Sequence, residues 1–513
     1  MGIEQFLLKA LQLANYANGV FVIVPCALAG ILLAPRLRQT PAPLPLGLLA
    51  RAALCLLSGL ALAYAFYPNF SDHAEPAMAT LGLVLLKGKP LYPALDAYSF
   101  HGLLYGPLLA ESQAAALFLG SSLAGLPVLL SSKLAGVFSF LAATGVFFTT
   151  ARTWGFSRAY YALFLLPFGL LAFWNRCEPL FLLLVAISFR AVEFRPPWRA
   201  LLVLGICAGL ASGLKLHGFL YIVPALVAYL AKEKVGAQGA LILAASAAGA
   251  FLLLFLPGNV SLRAFADYLL SATAHGLSWR LLLVNLIFVA ALWSPLLVVA
   301  RPAEWARAPL LALAALQLLV AVVGSKPGAG IHHLLPFIPA NALLFAPYAA
   351  NGRKPGANWV WVAMLIPGLA TSALLAWTMA RDWRPYAQAS QELERIQSAY
   401  PDLVMGLAGN NTYPYVFLRP MLEKKGETQV EYSSYMDLQL VGVSDAPLRL
   451  AFESCRVRHL AMPKGEPPYA FRTYYDPMPP LFSDALRETF ARRFRKVASG
   501  RWYDAYECEP RKD

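Results

Sequence analysis

Residues 200–231 read ALLVLGICAGLASGLKLHGFLYIVPALVAYLA, two apolar runs parted by Lys215 and His217 and bounded by Arg199 and Lys232. Each run approaches the roughly 20 residues needed to cross a hydrocarbon layer of about 30 Å. Basic residues at both outer ends and a polar turn between them describe a membrane hairpin with both ends on one side. A charge inside such a stretch costs about 2.5 to 3.5 kcal/mol on insertion scales, so Lys215 either has an aqueous or anionic neighbour or snorkels to the interface.

The same pattern recurs along the whole chain. Of 513 residues 58% are apolar or aromatic and 14% charged, and the mean hydropathy is +0.56. That composition excludes a single water-soluble enzyme and a disordered chain. The 36 Gly and 38 Pro are scattered through aliphatic runs instead of forming a repeat. The expected fold is an α-helical polytopic membrane bundle of about twelve transmembrane helices, with a soluble C-terminal α/β domain. The spans fall at 17–34, 52–67, 126–150, 159–174, 179–192, 200–214, 218–231, 238–257, 281–300, 308–324, 333–350 and 358–380.

One set of connecting loops carries Arg36, Arg38, Arg51, Arg152, Arg158, Arg190, Arg195, Arg199, Lys232, Lys234, Arg301, Arg307, Arg353 and Lys354 against only Glu193, Glu233 and Glu304. The positive-inside rule makes these loops cytoplasmic and places the opposite loops, with both chain ends, outside. Residues 104–120 hold Glu111, Ser112 and Gln113 and are expected to form a juxtamembrane or re-entrant helix, because a crossing there would invert every later loop. The net charge of +14 is thereby largely a topology signal, and nucleic acid is not an expected partner. The expected location is the inner (plasma) membrane, multi-pass, with the C-terminal domain extracytoplasmic.

The membrane part is expected to span 1–380, with an outer loop at 68–125, and the soluble domain 381–513, where 19 Lys and Arg nearly balance 18 Asp and Glu. Strands are expected at 403–407, 457–462 and 502–508, a helix near 415–425 and an amphipathic segment at 481–495. Cys455 and Cys508 are the two cysteines of this domain, and an oxidising compartment would allow them to pair. The other four sit in or beside apolar spans, where they read as small packing residues.

The polar residues on the outer side carry the chemistry. Asn69-Phe-Ser-Asp72-His73-Ala-Glu75-Pro76 is followed by Leu85-Leu-Lys-Gly-Lys-Pro-Leu-Tyr92-Pro93 and His101-Gly-Leu-Leu-Tyr105-Gly-Pro-Leu108. An acid just after an early span, a helical segment ending LLKGKPLYP and an aromatic LYGPL resemble the first outer loop of the C-type glycosyltransferases. These membrane enzymes, similar to the protein O-mannosyltransferase and lipid A aminoarabinose transferase families, take sugars from polyprenyl-phosphate carriers. WNRCEPLFLLL (174–184), GLASGLKLHGFLYIVPAL (209–226) and GSKPGAGIHHLLPFIP (324–339) resemble later segments of the same superfamily.

The resemblance implies a GT-C-like fold and inverting transfer of a sugar from a polyprenyl-phosphate donor to a lipid, glycan or protein acceptor in the cell envelope. An acceptor hydroxyl needs a base near the bilayer surface, and Asp72 is the candidate, with Glu75 or His73 in support. Asp72 and Glu75, three residues apart, would share one helical face. Capping of the following helix is the plainer role for Asp72. The departing phosphate needs cations, for which Lys215, Arg176 and Lys326 are candidates, joined by His217, His332 and His333 as donor phosphate-binding residues. Glu178 is the expected partner of Arg176, and Tyr92 and Tyr105 are supporting residues. These groups are expected to serve one pocket on the outer side. A cofactor is unknown: a divalent cation such as Mg or Mn stays open, since Asp72, His73 and Glu75 are suitable ligand types, and nothing requires one. Three rival functions stay open: a transporter or flippase of lipid-linked glycans, a non-catalytic scaffold or subunit of an envelope complex, and a glycan polymerase or ligase. A flippase would show charges or broken helices near the bilayer midplane, neither of which is clear in the sequence.

Overall fold

The computed structural model describes residues 45–98, 105–151, 155–272, 276–299, 307–349, 357–427, 431–439, 442–474 and 478–509. The expected span 17–34, the loop residues Arg36, Arg38, Arg152, Arg301, Glu304, Arg353 and Lys354, and His101 lie outside the described residues. Uninterrupted Leu, Ala and Val runs form α-helices, and among the described residues three, Leu46–Phe66, Val128–Thr150 and Trp279–Leu296, are long and apolar enough to cross a membrane.

Several other expected spans are divided, for local reasons. Helix Phe156–Leu165 passes into a 3-10 segment, Leu166–Ala172, where Pro167 lacks a donor and Gly169 takes φ +48°. The second arm of the 200–231 hairpin opens as a 3-10 turn, Leu216–Tyr221, before helix Val223–Leu230. The 333–350 stretch likewise opens as Ile331–Phe337, with Pro336 inside it, before Ile338–Ala349. Glu178–Ala191, Pro197–Ser212, Ala237–Leu253 and Ala308–Val323 are continuous. The last expected span is the first half of a 43-residue helix, Ala357–Ala399. Residues 104–120 hold an 11-residue helix, Pro107–Leu117, followed by a π-helical turn, Phe118–Leu123.

The chain forms two compact units. The first takes residues up to 64 with 136–253 and 276–378. Helices Pro197–Ser212 and Ala237–Leu253 approach closely through small residues: Gly205 lies against Leu243 and Ser246, and Gly209 against Ala247 and Ala250, with no room for a Cβ. A polar chain crosses this unit, Trp293 Nε1 donating to Gln317, Gln317 to Asn341 (2.7 Å) and Asn341 to the Tyr160 hydroxyl (3.0 Å). Leu62, Phe66, Leu241 and Leu253 are all more than half exposed, an apolar outer surface suited to lipid.

The second unit takes 65–135, 254–275 and 379–513. Its sheet has strands β1 (Leu403–Met405), β2 (His459–Pro463), β3 (Phe494–Ser499) and β4 (Tyr503–Cys508) in the order β1-β2-β4-β3. β1 runs parallel to β2, and the other pairs are antiparallel. The amphipathic 481–495 segment is helix Asp484–Arg493, capped by the Ser483 hydroxyl, and it leads directly into β3, a strand that the sequence pattern did not separate. The helix expected at 415–425 is two short ones, Tyr413–Val416 and Arg419–Glu423.

This unit also contains the outer-loop helix Glu75–Leu86, held by buried polar contacts. Arg419 pairs with Glu431 at 3.0 Å and donates to the Thr80 hydroxyl, which donates to Glu423 at 2.5 Å. Lys87 donates to the carbonyls of Glu423 and Gly426. Cys455 and Cys508 form a disulfide across a separation of 53 residues, with Cα atoms 5.5 Å apart. Closing a loop of that length restricts the unfolded chain by about 4 kcal/mol in the chain-entropy account. Cys508→Ser should lower the melting temperature of the detergent-solubilised protein, and added dithiothreitol should lower that of the wild type but not of the variant.

Candidate functional site

The first unit gathers most of the expected phosphate-binding residues where its helices are interrupted. The Glu178-Pro179 pair opens helix Glu178–Ala191, a position where the helix dipole favours an acid. The Glu178 carboxylate accepts from Lys215 Nζ at 3.0 Å and from Trp174 Nε1 at 2.9 Å, and all of Glu178, Lys215 and Arg176 are buried. Lys215 is thus an ion-pair partner of Glu178, and Arg176, the partner expected from the sequence, lies over the Trp174 ring at 4.3 Å, in electrostatic range of the same carboxylate. On the other side of Trp174 is His332, with ring centroids 6.0 Å apart. His333 stacks on His217 at 5.6 Å, and its carbonyl accepts from the Tyr221 hydroxyl. Lys326 is half-buried and close enough to act electrostatically on both His217 and His333.

Lys215, Arg176 and Lys326 thus gather around the carboxylate of Glu178 and the imidazoles beside it. The buried edges of His217 Nε2 and His333 Nδ1 have no hydrogen-bond partner among the described residues. Adjacent to this cluster is an apolar groove of about 510 Å³, lined by Leu216 and Phe219 from the same 3-10 turn and by Leu204, Leu226, Leu243 and Phe251. Backbone geometry explains the division. Around the 3-10 turn Leu216 and Phe219, three residues apart, share the groove face, while Lys215 and Tyr221 are buried in the polar core.

The second unit holds the acidic turn. Glu75 is fully buried and accepts from the backbone N–H groups of Ser71 and Asp72, both at 2.8 Å. Asp72 is 5% exposed; one of its oxygens accepts from Ala74 N and the other lies 3.2 Å from His73 Nδ1. Asp72 precedes the helix that begins at Glu75, so the two acids do not share a helical face; Glu75 instead reaches back and fixes the turn. His73 is the accessible member, 37% exposed and edge-on to Tyr474. Burial, and then the Asp72 charge, raise the Tyr474 phenol above its ordinary range. Tyr92 donates to the Tyr105 carbonyl at 2.9 Å and packs on Phe265 and Tyr268, so these two residues close the loop.

Sequence reasoning overlooked Lys133, although a lone lysine in the apolar run of Val128–Thr150 was the available signal. It is fully buried and donates to the carbonyls of Tyr67 (2.5 Å) and Asn69 (2.7 Å), at the start of the acidic turn and in electrostatic range of Glu75. Thr80, Arg419 and Glu431 were also overlooked, since no local pattern links positions more than 300 residues apart. Among the described residues no group of three or more His, Cys, Asp and Glu side chains is placed to hold a metal ion.

Three described helices long and apolar enough to cross a membrane, with an exposed apolar surface beside them, are features of an integral membrane protein. The crystal structure of ArnT from Cupriavidus metallidurans in the apo state has a similar fold: TM-score 0.50, 15% identity, covering 90% of this chain and 100% of that one. No family model matches the chain, and no curated protein matches it. At 15% identity the likeness establishes an ArnT-like fold.

The Glu178–Lys215 pair has a specific energetic signature. Removing one partner of a buried pair costs about 3 to 5 kcal/mol, whereas replacing both is far milder. Glu178→Ala should therefore melt well below wild type in detergent, and Glu178→Ala with Lys215→Met should melt above the single variant. A double variant lower than Glu178→Ala would refute this coupling.

Proposed function

We propose that this chain is a membrane glycosyltransferase that moves a sugar from a polyprenyl-phosphate donor to a lipid, glycan or protein acceptor at the extracytoplasmic face. The observation that carries the reading is the junction in the first unit, where a cation-rich, buried polar cluster and an apolar groove share one 3-10 turn. A ligand suited to both is an amphiphile with an isoprenoid-like chain and an anionic head. In this reading the chain lies in the groove, and Lys215, Arg176 and Lys326 stabilise the negative charge that develops on the departing phosphate. Glu178 holds the Lys215 ammonium in place, and His217 and His333 offer ring nitrogens to phosphate oxygens.

The proton of the acceptor hydroxyl goes to the Asp72–His73 pair. Asp72 orients the imidazole, and His73 reaches solvent. Glu75 and Lys133 are positioning residues, which hold the turn by its N–H and carbonyl groups respectively. The overall transfer is inverting, with one displacement at the sugar C1. The Cys455–Cys508 disulfide supports an oxidising, extracytoplasmic location for the sheet domain. The ArnT-like fold supports the reading at the level of architecture.

A second reading, transport of a lipid-linked glycan, gains support from the three 3-10 interruptions, because broken helices also mark transporter binding sites. Transfer separates the two. Purified protein incubated with labelled polyprenyl-phosphate sugars and an envelope extract as acceptor should release polyprenyl phosphate and label the acceptor. Asp72→Asn should reduce the rate about 10²- to 10⁴-fold, the usual contribution of a general base, while donor binding is retained. Movement of donor across vesicles without any transfer would favour the transporter.

A further inference from the structure

Within the second unit, a cavity of about 690 Å³ lies beyond the outer-loop helix and beside the edge strand β1. Its walls bring together Lys87, Lys89, Lys425, Arg456 and Arg458, against Asp402 and Glu427. Glu507 lies 3.8 Å from Arg458, so five cations face three acids, a net +2 in one concavity. The acids present are engaged: Glu427 takes Lys89 at 3.1 Å and the Tyr98 hydroxyl at 3.3 Å, and Asp402 lies 2.6 Å from His459 Nδ1.

The cavity is built and held, unlike a chance cluster of surface lysines. The Lys87 amine is fixed by two carbonyls; burial lowers its pKa, against the opposing pull of the Glu423 charge, and Lys89 beside it lowers it further. The Arg456 guanidinium lies over the Tyr98 ring at 4.0 Å, which flattens the fork and leaves its edge to bond a ligand. Arg456 follows Cys455, a non-glycine residue at φ +51°, in the left-handed region, and the disulfide to Cys508 ties that backbone to β4. The volume falls in the range of small-molecule sites, about 300 to 1,000 Å³.

We infer that this cavity is a second anion site, separate from the Lys215 cluster, and that it binds a phosphate monoester carried by a saccharide or a lipid headgroup. Charge selects the ligand: a phosphomonoester brings about −1.5 to −2 at neutral pH and offsets nearly all of the local +2, whereas one carboxylate leaves half of it. The planar fork of Arg456 matches phosphate in two-point contact, and the lysines supply point charges around it. This assignment rests on the cavity alone and stands whether or not the chain transfers sugars.

Calorimetry on the full-length protein in neutral detergent tests it, with inorganic phosphate, glucose 6-phosphate and glucose as probes, and phosphatidic acid in mixed micelles as the lipid arm. Saturable binding of glucose 6-phosphate or of phosphatidic acid is expected, weakened at least tenfold by Arg456→Ala with Lys425→Ala and diminished by rising salt; which of the two probes binds identifies the source of the phosphate. Glucose should not bind. Lys326→Ala, in the other unit, should leave the affinity unchanged, and Arg456→Lys should fall between wild type and the double variant. Arg456→Glu repeats the test with a single exposed residue, should the double variant melt early. Failure of both phosphate probes to saturate, equal binding of glucose, or undiminished affinity in the Arg456 variants would overturn the assignment.

Discussion

A carboxylate and an ammonium 3.0 Å apart, Glu178 and Lys215, set the terms for the bundle around them. Neither could be buried alone in an apolar interior, and each makes the other tolerable. Lys215 reaches Glu178 because the hairpin breaks into a 3-10 turn at Leu216, and Glu178 meets it because a proline starts the opposing helix. The unfilled backbone bonding of those interruptions lies in the region where polar side chains gather. In a bilayer, non-helical backbone persists where it is buried in protein or lines a cavity.

The same rule governs the other buried cations. Lys133 is neutralised by carbonyl dipoles of the turn it supports, whereas Arg419 is met by Glu423 and Glu431 and by the Thr80 hydroxyl. In the second unit that network makes the outer-loop helix and the C-terminal sheet parts of one body, despite the 300 residues between them in sequence. The acidic turn is thereby anchored twice, by Lys133 from below its carbonyls and by Ser433, which donates to the His73 carbonyl. The proposed role of Asp72 and His73 as proton acceptor needs such support, because loose geometry forfeits orientation.

Hydropathy and charge placement made much of this architecture legible. The long apolar runs became helices, the composition shift after residue 380 marked the sheet region, and three of four strands lay within the stretches of β-branched and aromatic residues. Proline and glycine at 167, 169 and 336 were visible signs of interruption, yet their effect was underread, because one such residue in a membrane helix is often accommodated. The strand Phe494–Ser499 was hidden by its charged residues, which face solvent at a sheet edge and give no apolar alternation.

From the sequence alone came the apolar, helical class, the approximate helices and the neighbours Asp72 and His73, because hydrophobic periodicity and adjacency are local properties. Tertiary structure decided which charge meets which. It brought Lys215 to Glu178, set Glu75 against the backbone of the turn, and gathered Lys87, Lys425 and Arg456 around one cavity. Pairing of distant charges depends on the path of the backbone between them, and on the low dielectric that forces each buried charge to find a partner. Neither is written in the spacing of residues along the chain.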